Sequence, residues 1–198
     1  MAVANPVELP ICSHSGAPEA QSDDELMALA AAGQRAAFEW LVRRHQRCVR
    51  NVCARLCGGA AHGDDVAQEV LASLWQLRHS YEARGRFKSY LLTVAVSRCK
   101  NWRRDHRHSW LRADVPENLT AEQNQLDELL RAEHRRRLQG CIAKLPAEQC
   151  EAIALKFGAD LDYAQIAEIL VCPEATVRSR VFFGIARLRK LVRKWGQS

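Results

Sequence analysis

LDYAQIAEILVCPEATVRSRVFFGIARLRKL, residues 161–191, contains two short helical patterns separated by a tight turn, the second rich in arginine. Asp162 and Gln165 form a capping box, in which each side chain satisfies an amide left unpaired at a helix start, and Leu161 can staple onto Ile166. Ile166, Ala167 and Leu170 then supply one apolar face. Val171-Cys172-Pro173 interrupts the pattern, and a second helix is predicted from about Pro173, with Glu174 placed to complement the partial positive charge of its N-terminus. Val177, Val181, Ile185 and Leu188 recur at spacings of four and three, which defines a core stripe and leaves Arg178, Ser179, Phe182 and Arg189 partly or wholly outside it. This is the pattern of a helix-turn-helix, whose second helix can donate to base edges and phosphates in the major groove. A solvated basic helix closing a bundle would carry the same charge. The capping box, the acidic first turn and the break between the helices favour DNA binding.

Helix-forming residues dominate the rest of the chain and alternating, strand-like runs are scarce, so an all-α protein is expected. At 198 residues the length suits one or two domains, and a 47% hydrophobic content is enough for real cores; two small helical domains are expected. Its net charge of +6 is unevenly spread: residues 96–112 carry +5 and residues 174–194 carry +6, which leaves the remainder at −5. Two separated basic helices on an otherwise acidic chain suggest two contacts with one polyanion. No apolar run approaches the roughly 20 residues that span a bilayer, and the N-terminus lacks a basic segment followed by an apolar core. A cytoplasmic protein is expected, with no membrane insertion of its own and with its eight cysteines mostly reduced.

Residues 1–21 hold three prolines and no periodicity and read as a disordered arm. Ser22 followed by Asp23, Asp24 and Glu25 opens a helix; after Gly33 a second follows Phe38, Leu41, Val42, His45, Val49, Val52, Cys53 and Leu56, ending at Gly58-Gly59. A third is predicted from near Asp64 to about His79, with Val66, Val70, Leu74 and Leu77 inward, Asp65, Gln68, Glu69 and Gln76 outward and Trp75 at the border. The loop 80–86 leads to a fourth, where Phe87, Tyr90, Leu91, Val94 and Ala95 pack inward ahead of the first basic cluster. Residues 106–124 lose periodicity and read as a flexible linker between a domain at 22–105 and one at 125–198. In the latter, Leu126, Leu130, Leu138, Cys141, Ile142 and Leu145 mark one helix and Cys150, Ile153, Ala154 and Phe157 the next.

Three blocks in this order resemble the extracytoplasmic-function (ECF) sigma factors of bacterial RNA polymerase, the smallest members of the sigma-70 group: DDVAQEVLASLWQLR (64–78), FKSYLLTVAVSRCKNWRRDHR (87–107) and LPAEQCEAIALKFGADLDYAQIAEILVCPEATVRSR (145–180). The resemblance covers about residues 23–194. It implies an alternative sigma factor that binds core RNA polymerase through the β′ clamp helices and the β subunit, recognises the −35 and −10 elements and helps open the promoter. By that resemblance the face bearing Asp65, Gln68, Glu69 and Trp75 docks on the clamp helices. Tyr81 stands in the loop that captures a flipped base, where aromatic contact offsets the cost of unstacking. Ser97 and Asn101 face the −10 element, with Lys100, Arg103 and Arg104 on phosphates. Pro173, Glu174, Arg178, Ser179, Phe182 and Phe183 fall along the −35 reading helix. The chain departs from the family where Phe183 and Gly184 replace a pair that is basic in many members, so fewer phosphate or guanine contacts are offered there. An anti-sigma partner is implied as the brake on such a factor.

His45-x-x-Cys48 and Cys53-x-x-x-Cys57 invite a zinc reading, but His45 and Cys53 are about 12 Å apart along a continuous helix, too far for one ion. No metal or other cofactor is expected. Thiol-based sensing would favour Cys12 and Cys99 as the more exposed candidates. No phosphate-binding glycine loop or nucleophile motif is present, so the chain reads as a non-enzyme. The competing reading is a stand-alone helix-turn-helix regulator; it would need a dimer interface and a palindromic operator, and it leaves residues 64–107 unexplained.

Overall fold

The computed structural model describes residues 20–106, 133–134 and 137–194, and two of its helices begin on the capping boxes that the sequence signals. Helix α1 (Asp23–Ala31) opens on a capping box in which Glu25 accepts from the Ser22 amide at 2.8 Å and Ser22 Oγ accepts from the Glu25 amide at 3.3 Å. Gly33, at φ +93°, makes the turn into α2 (Arg35–Leu56), which lacks a side-chain cap and is held by its buried face, Leu41, His45, Val49, Val52, Cys53 and Leu56. Each large aliphatic side chain in that face contributes about 1.5–3 kcal/mol on burial.

Helix α3 runs from Ala60 to Gln76 and continues into a 3-10 turn at Leu77–His79. It therefore begins four residues before the predicted Asp64. Gly63 lies inside it as a packing residue: a Cβ there would sit 2.4 Å from Ala54 Cα, so glycine is what lets α3 cross α2 so closely. Leu77, predicted inward, is 39% exposed because the helix has already tightened into the 3-10 turn. Helix α4 (Phe87–Asp105) buries Phe87, Leu91, Leu92, Ala95, Val96 and Cys99.

The predicted linker beyond His106, the arm before Ala20, and Leu126 and Leu130 lie outside the described residues. Residues 137–143 are helical, with Cys141 and Ile142 buried but Leu138 exposed, contrary to expectation. Helix α5 (Ala147–Gly158) is buried along almost its whole girth from Cys150 to Leu155; Phe157, predicted inward, lies in the last turn beyond that run and is 57% exposed. Helices α6 (Tyr163–Leu170) and α7 (Glu174–Arg193) complete the helix-turn-helix.

The two helical domains are docked, which the reading of a flexible connection does not anticipate. Helix α5 packs on α2, where the Cys150 thiol lies 3.7 Å from the Arg55 carbonyl and Gly158 lies against Val52. Helix α4 meets α6, and one continuous apolar cluster runs from Leu26 to Val181.

Candidate nucleic-acid interface

The helix-turn-helix is built by local chemistry at three points. The Asp162 and Gln165 capping box forms as the sequence predicts, at 2.7 and 3.0 Å, with Leu161 and Ile166 both buried. Helix α6 then ends in a Schellman arrangement: the Cys172 amide donates to the Ala167 carbonyl at 3.1 Å and the Val171 amide to the Glu168 carbonyl at 3.4 Å. That motif requires a left-handed residue, and Val171 supplies it at φ 50°, ψ 54°. Pro173 follows at φ −58° and caps α7. Behind α7, Val177, Val181 and Gly184 are buried, and a Cβ on Gly184 would meet Ile153 Cδ1 at 2.6 Å, so the helix is seated directly on α5.

The opposite side of α7 presents Ala175, Arg178, Ser179, Phe182 and Phe183, all exposed and spaced three and four apart along one face. Arg178 is positioned in advance: Glu174 accepts from it at 2.5 and 3.1 Å, and its guanidinium lies 4.7 Å from the Tyr163 ring centroid. Arg180 points away from this face, reaching Glu148 at 3.0 Å and Cys172 at 3.5 Å. Phe182 and Phe183 meet edge to face at 5.4 Å.

On α4, Ser97 and Asn101 are exposed on one face, one helical turn apart. Lys100 is occupied by the C-terminal domain, its Nζ lying 3.2 Å from Glu151 Oε2; the Glu151 side chain is only 6% exposed. Arg104 pairs with Asp105 at 3.2 Å. Two further cations near the start of α4 also reach across: Lys88 donates to the Ala159 carbonyl at 2.8 Å, and Arg86 lies 2.9 Å from Glu168.

Tyr81 is half-buried, packed against Phe87 and Tyr90 at 5.6 and 5.1 Å, with its hydroxyl donating to Asp24 at 2.5 Å. Burial, followed by the Asp24 bond, holds its phenol protonated well above the usual range. Asp24 also accepts from the Gly85 amide at 2.6 Å, so one carboxylate of α1 pins both ends of the loop. Neither Asp24 nor Glu151 stands out in the sequence: Asp24 hides among the acidic residues of a helix start, and Glu151 has a polar side chain in an apolar run.

Asp65, Gln68 and Glu69 are exposed along one side of α3, with Trp75 half-buried at its end. The Trp75 ring packs on Phe38 at 5.0 Å and carries the Arg78 guanidinium at 4.0 Å. The predicted candidate residues thus fall on three surfaces, one on α3, one on α4 and its preceding loop, and one on α7.

The cysteines differ from expectation at Cys99, which is 1% exposed rather than accessible; contact with Cys53 and Cys57, together with burial, keeps its thiol protonated far above the ordinary range. Cys12 lies outside the described residues. His45 is turned to Asp23, at 2.8 Å, and among the described residues no group of three or more His, Cys, Asp or Glu side chains is arranged to hold a metal ion. Among the described residues no helix is long and apolar enough to cross a membrane.

Comparison with known proteins identifies the family of the two helical domains. Residues 41–109 match the family described as Sigma-70 region 2, and residues 135–188 match Sigma-70, region 4. The chain is 30% identical over 168 residues to the ECF RNA polymerase sigma factor SigL of Mycobacterium tuberculosis, a match covering 84% of this chain and 95% of that protein. It is 31% identical over 176 residues to the ECF RNA polymerase sigma-E factor of Haemophilus influenzae, covering 83% and 92%. Its fold is similar to that of the sigma factor RpoE from Bartonella quintana, solved with the anti-sigma factor NepR, at a TM-score of 0.61 and 22% identity, covering 79% of this chain and 96% of that one. With both sigma-70 segments in place on two helical domains, the chain belongs to the ECF sigma factors, alternative sigma factors that act in promoter recognition and transcription initiation.

Proposed function

We propose that this sigma factor docks on core RNA polymerase through Asp65, Gln68, Glu69 and Trp75 on α3, reads the −10 element with α4 and its preceding loop, and reads the −35 element with α7. The observation that carries this reading is the uninterrupted exposed face of α7, from Ala175 to Phe183, on the second helix of a helix-turn-helix whose opposite side is locked onto α5. Such a face fits a major groove about 12 Å wide. On α4, Ser97 and Asn101 are free to meet bases, with Lys100, Arg103 and Arg104 as phosphate contacts. Tyr81 is the aromatic that receives an unstacked base; its hydroxyl is held by Asp24, so the loop is shaped before DNA arrives.

Engaging both elements requires the two domains to part, because Lys100 is paired with Glu151 while they are docked. An anti-sigma partner of the kind seen with the Bartonella quintana protein would act by holding the domains together or by covering α3. The site of action is the cytoplasm, where core polymerase resides. The test is transcription in vitro from a genomic fragment library of the source organism, with core polymerase alone and with the protein added, followed by mapping of RNA 5′ ends. New starts preceded by a shared pair of elements near −35 and −10 are expected; starts unchanged by the protein would overturn the assignment.

A further inference from the structure

We propose that α7 recognises thymine in the −35 element through its 5-methyl group, with the Phe182–Phe183 pair as the specificity-determining contact. The inference rests on the assignment of α7 to that element. Phe182 is 68% exposed and Phe183 58% exposed, two of the largest apolar surfaces that the described residues present to solvent. They lie one turn beyond Arg178 and Ser179 on the same face, about 6 Å further along the helix axis. The face cannot roll them inward, because the far side of α7 is seated on α5, with Val177, Val181 and Gly184 buried there and Gly184 close against Ile153.

What they meet must be part of a polyanion complex, since residues 174–194 carry a net charge of +6. No arginine in this part of the helix substitutes for them: Arg178 is held at the N-terminal end by Glu174 and Tyr163, and Arg180 is turned to Glu148. A phenyl ring neither donates to guanine nor accepts from adenine or cytosine. The only apolar group that base edges display in the major groove is the thymine methyl. The pair therefore calls for thymine one helical turn along from the base nearest Arg178.

The test takes a promoter found by the transcription mapping above and replaces each thymine of its −35 element, one at a time, with deoxyuridine, which keeps every hydrogen-bonding group and removes only the methyl. Affinity of the holoenzyme for each duplex is then measured. Loss of about fourfold is expected at one or more positions, the value for one methyl-sized group withdrawn from apolar contact. A Phe182→Ala, Phe183→Ala double variant should bind the thymine parent more weakly and be indifferent to the replacement. Wild-type binding that is unchanged by every deoxyuridine, or a −35 element without thymine, would overturn the inference. Failure of the sigma-factor reading shows separately, as an absence of new start sites.

Discussion

Val171→Gly should stabilise this protein, and the size of the gain can be worked from the turn between α6 and α7. Val171 sits at φ 50°, ψ 54°, in the left-handed region, where a Cβ crowds the following carbonyl at a cost of about 1–2 kcal/mol, with β-branched residues suffering most. Nothing in the folded chain offsets this, since the side chain is 88% exposed. The backbone must nevertheless stay there, because both Schellman hydrogen bonds, to Ala167 and Glu168, depend on it. Glycine removes the crowding and retains the bonds. It also frees the unfolded chain, which returns about 0.5–1 kcal/mol. The net expectation is a gain of about 0.5–1 kcal/mol. In urea, with a slope of about 2 kcal/mol/M, the midpoint should rise by about 0.3–0.5 M with the slope unchanged. Asp160, at φ 53°, provides the control: aspartate tolerates this region far better, so Asp160→Gly should shift the midpoint little. A Val171→Gly midpoint equal to or below wild type would refute the reasoning, and would mean either that the turn relaxes around valine or that the unfolded-state term dominates.

Two glycines should respond unequally to the same change. Gly63→Ala should cost about 3 kcal/mol, because the new methyl meets backbone, Ala54 Cα, at 2.4 Å; Gly184→Ala should cost about 1 kcal/mol or less, because it meets a movable Ile153 methyl and gains helix propensity. Chemical denaturation decides, and equal losses would contradict the backbone-versus-side-chain distinction. His45 is held below the usual histidine value of 6.5, mainly by burial, with Arg44 and Lys88 acting in the same direction and Asp23 opposing. The unfolded chain then binds the extra proton, so stability should fall as pH drops below about 6.5 toward the folded value, by at most about 1.4 kcal/mol per pH unit, and His45→Gln should flatten that part of the profile. Lys100→Ala strands the Glu151 carboxylate in a nearly dry site; since the Lys100 side chain is itself 52% exposed, the cost should be about 1 kcal/mol. A Glu151→Gln background should remove much of that cost in a double-mutant cycle, whereas strict additivity would show that the pair is not coupled.

The helix-turn-helix was legible because its determinants are local. A capping box and a stripe at spacings of four and three depend on residues within a turn or two of each other, and both appear in the structure where the sequence puts them. The start of α3 was not legible, because the glycine-rich stretch from Gly58 to Gly63 has the composition of a break, and only the close crossing of α2 reveals Gly63 as a contact surface. Cys99 and Phe157 were misplaced for a related reason. Each lies on a helix packed on more than one side, where a single apolar stripe no longer says which residues face water. Most hidden was the docking of the two domains. Lys100 reads as a phosphate contact and Glu151 as an ordinary polar residue, and their pairing at 3.2 Å joins positions 51 residues apart in the chain.

That docking bears directly on how the proposed function would proceed. Helix α7 rests on α5, and α5 reaches α4 through Glu151 and Lys100, so α4 and α7, the proposed reading helices, stand within about two or three helix spacings of 8–10 Å, roughly 20–30 Å. Elements centred near −35 and −10 are separated by about 25 base pairs, or roughly 85 Å of duplex at 3.4 Å per step. DNA is stiff over such lengths, and folding it back to close that gap would cost more than the contacts on α4 and α7 could return. The domains must separate before both elements can be held. Separation is opposed by the apolar packing of α5 on α2 and by three polar links: the buried Glu151 carboxylate on Lys100, the exposed pair between Arg86 and Glu168, and the Lys88 bond to a carbonyl. Each polar link uses a cation at or near α4, the same kind of group a phosphate would claim. On the proposed reading, DNA arriving at α4 would compete for the cations that keep the C-terminal domain in place, and opening and promoter engagement would become one coupled equilibrium.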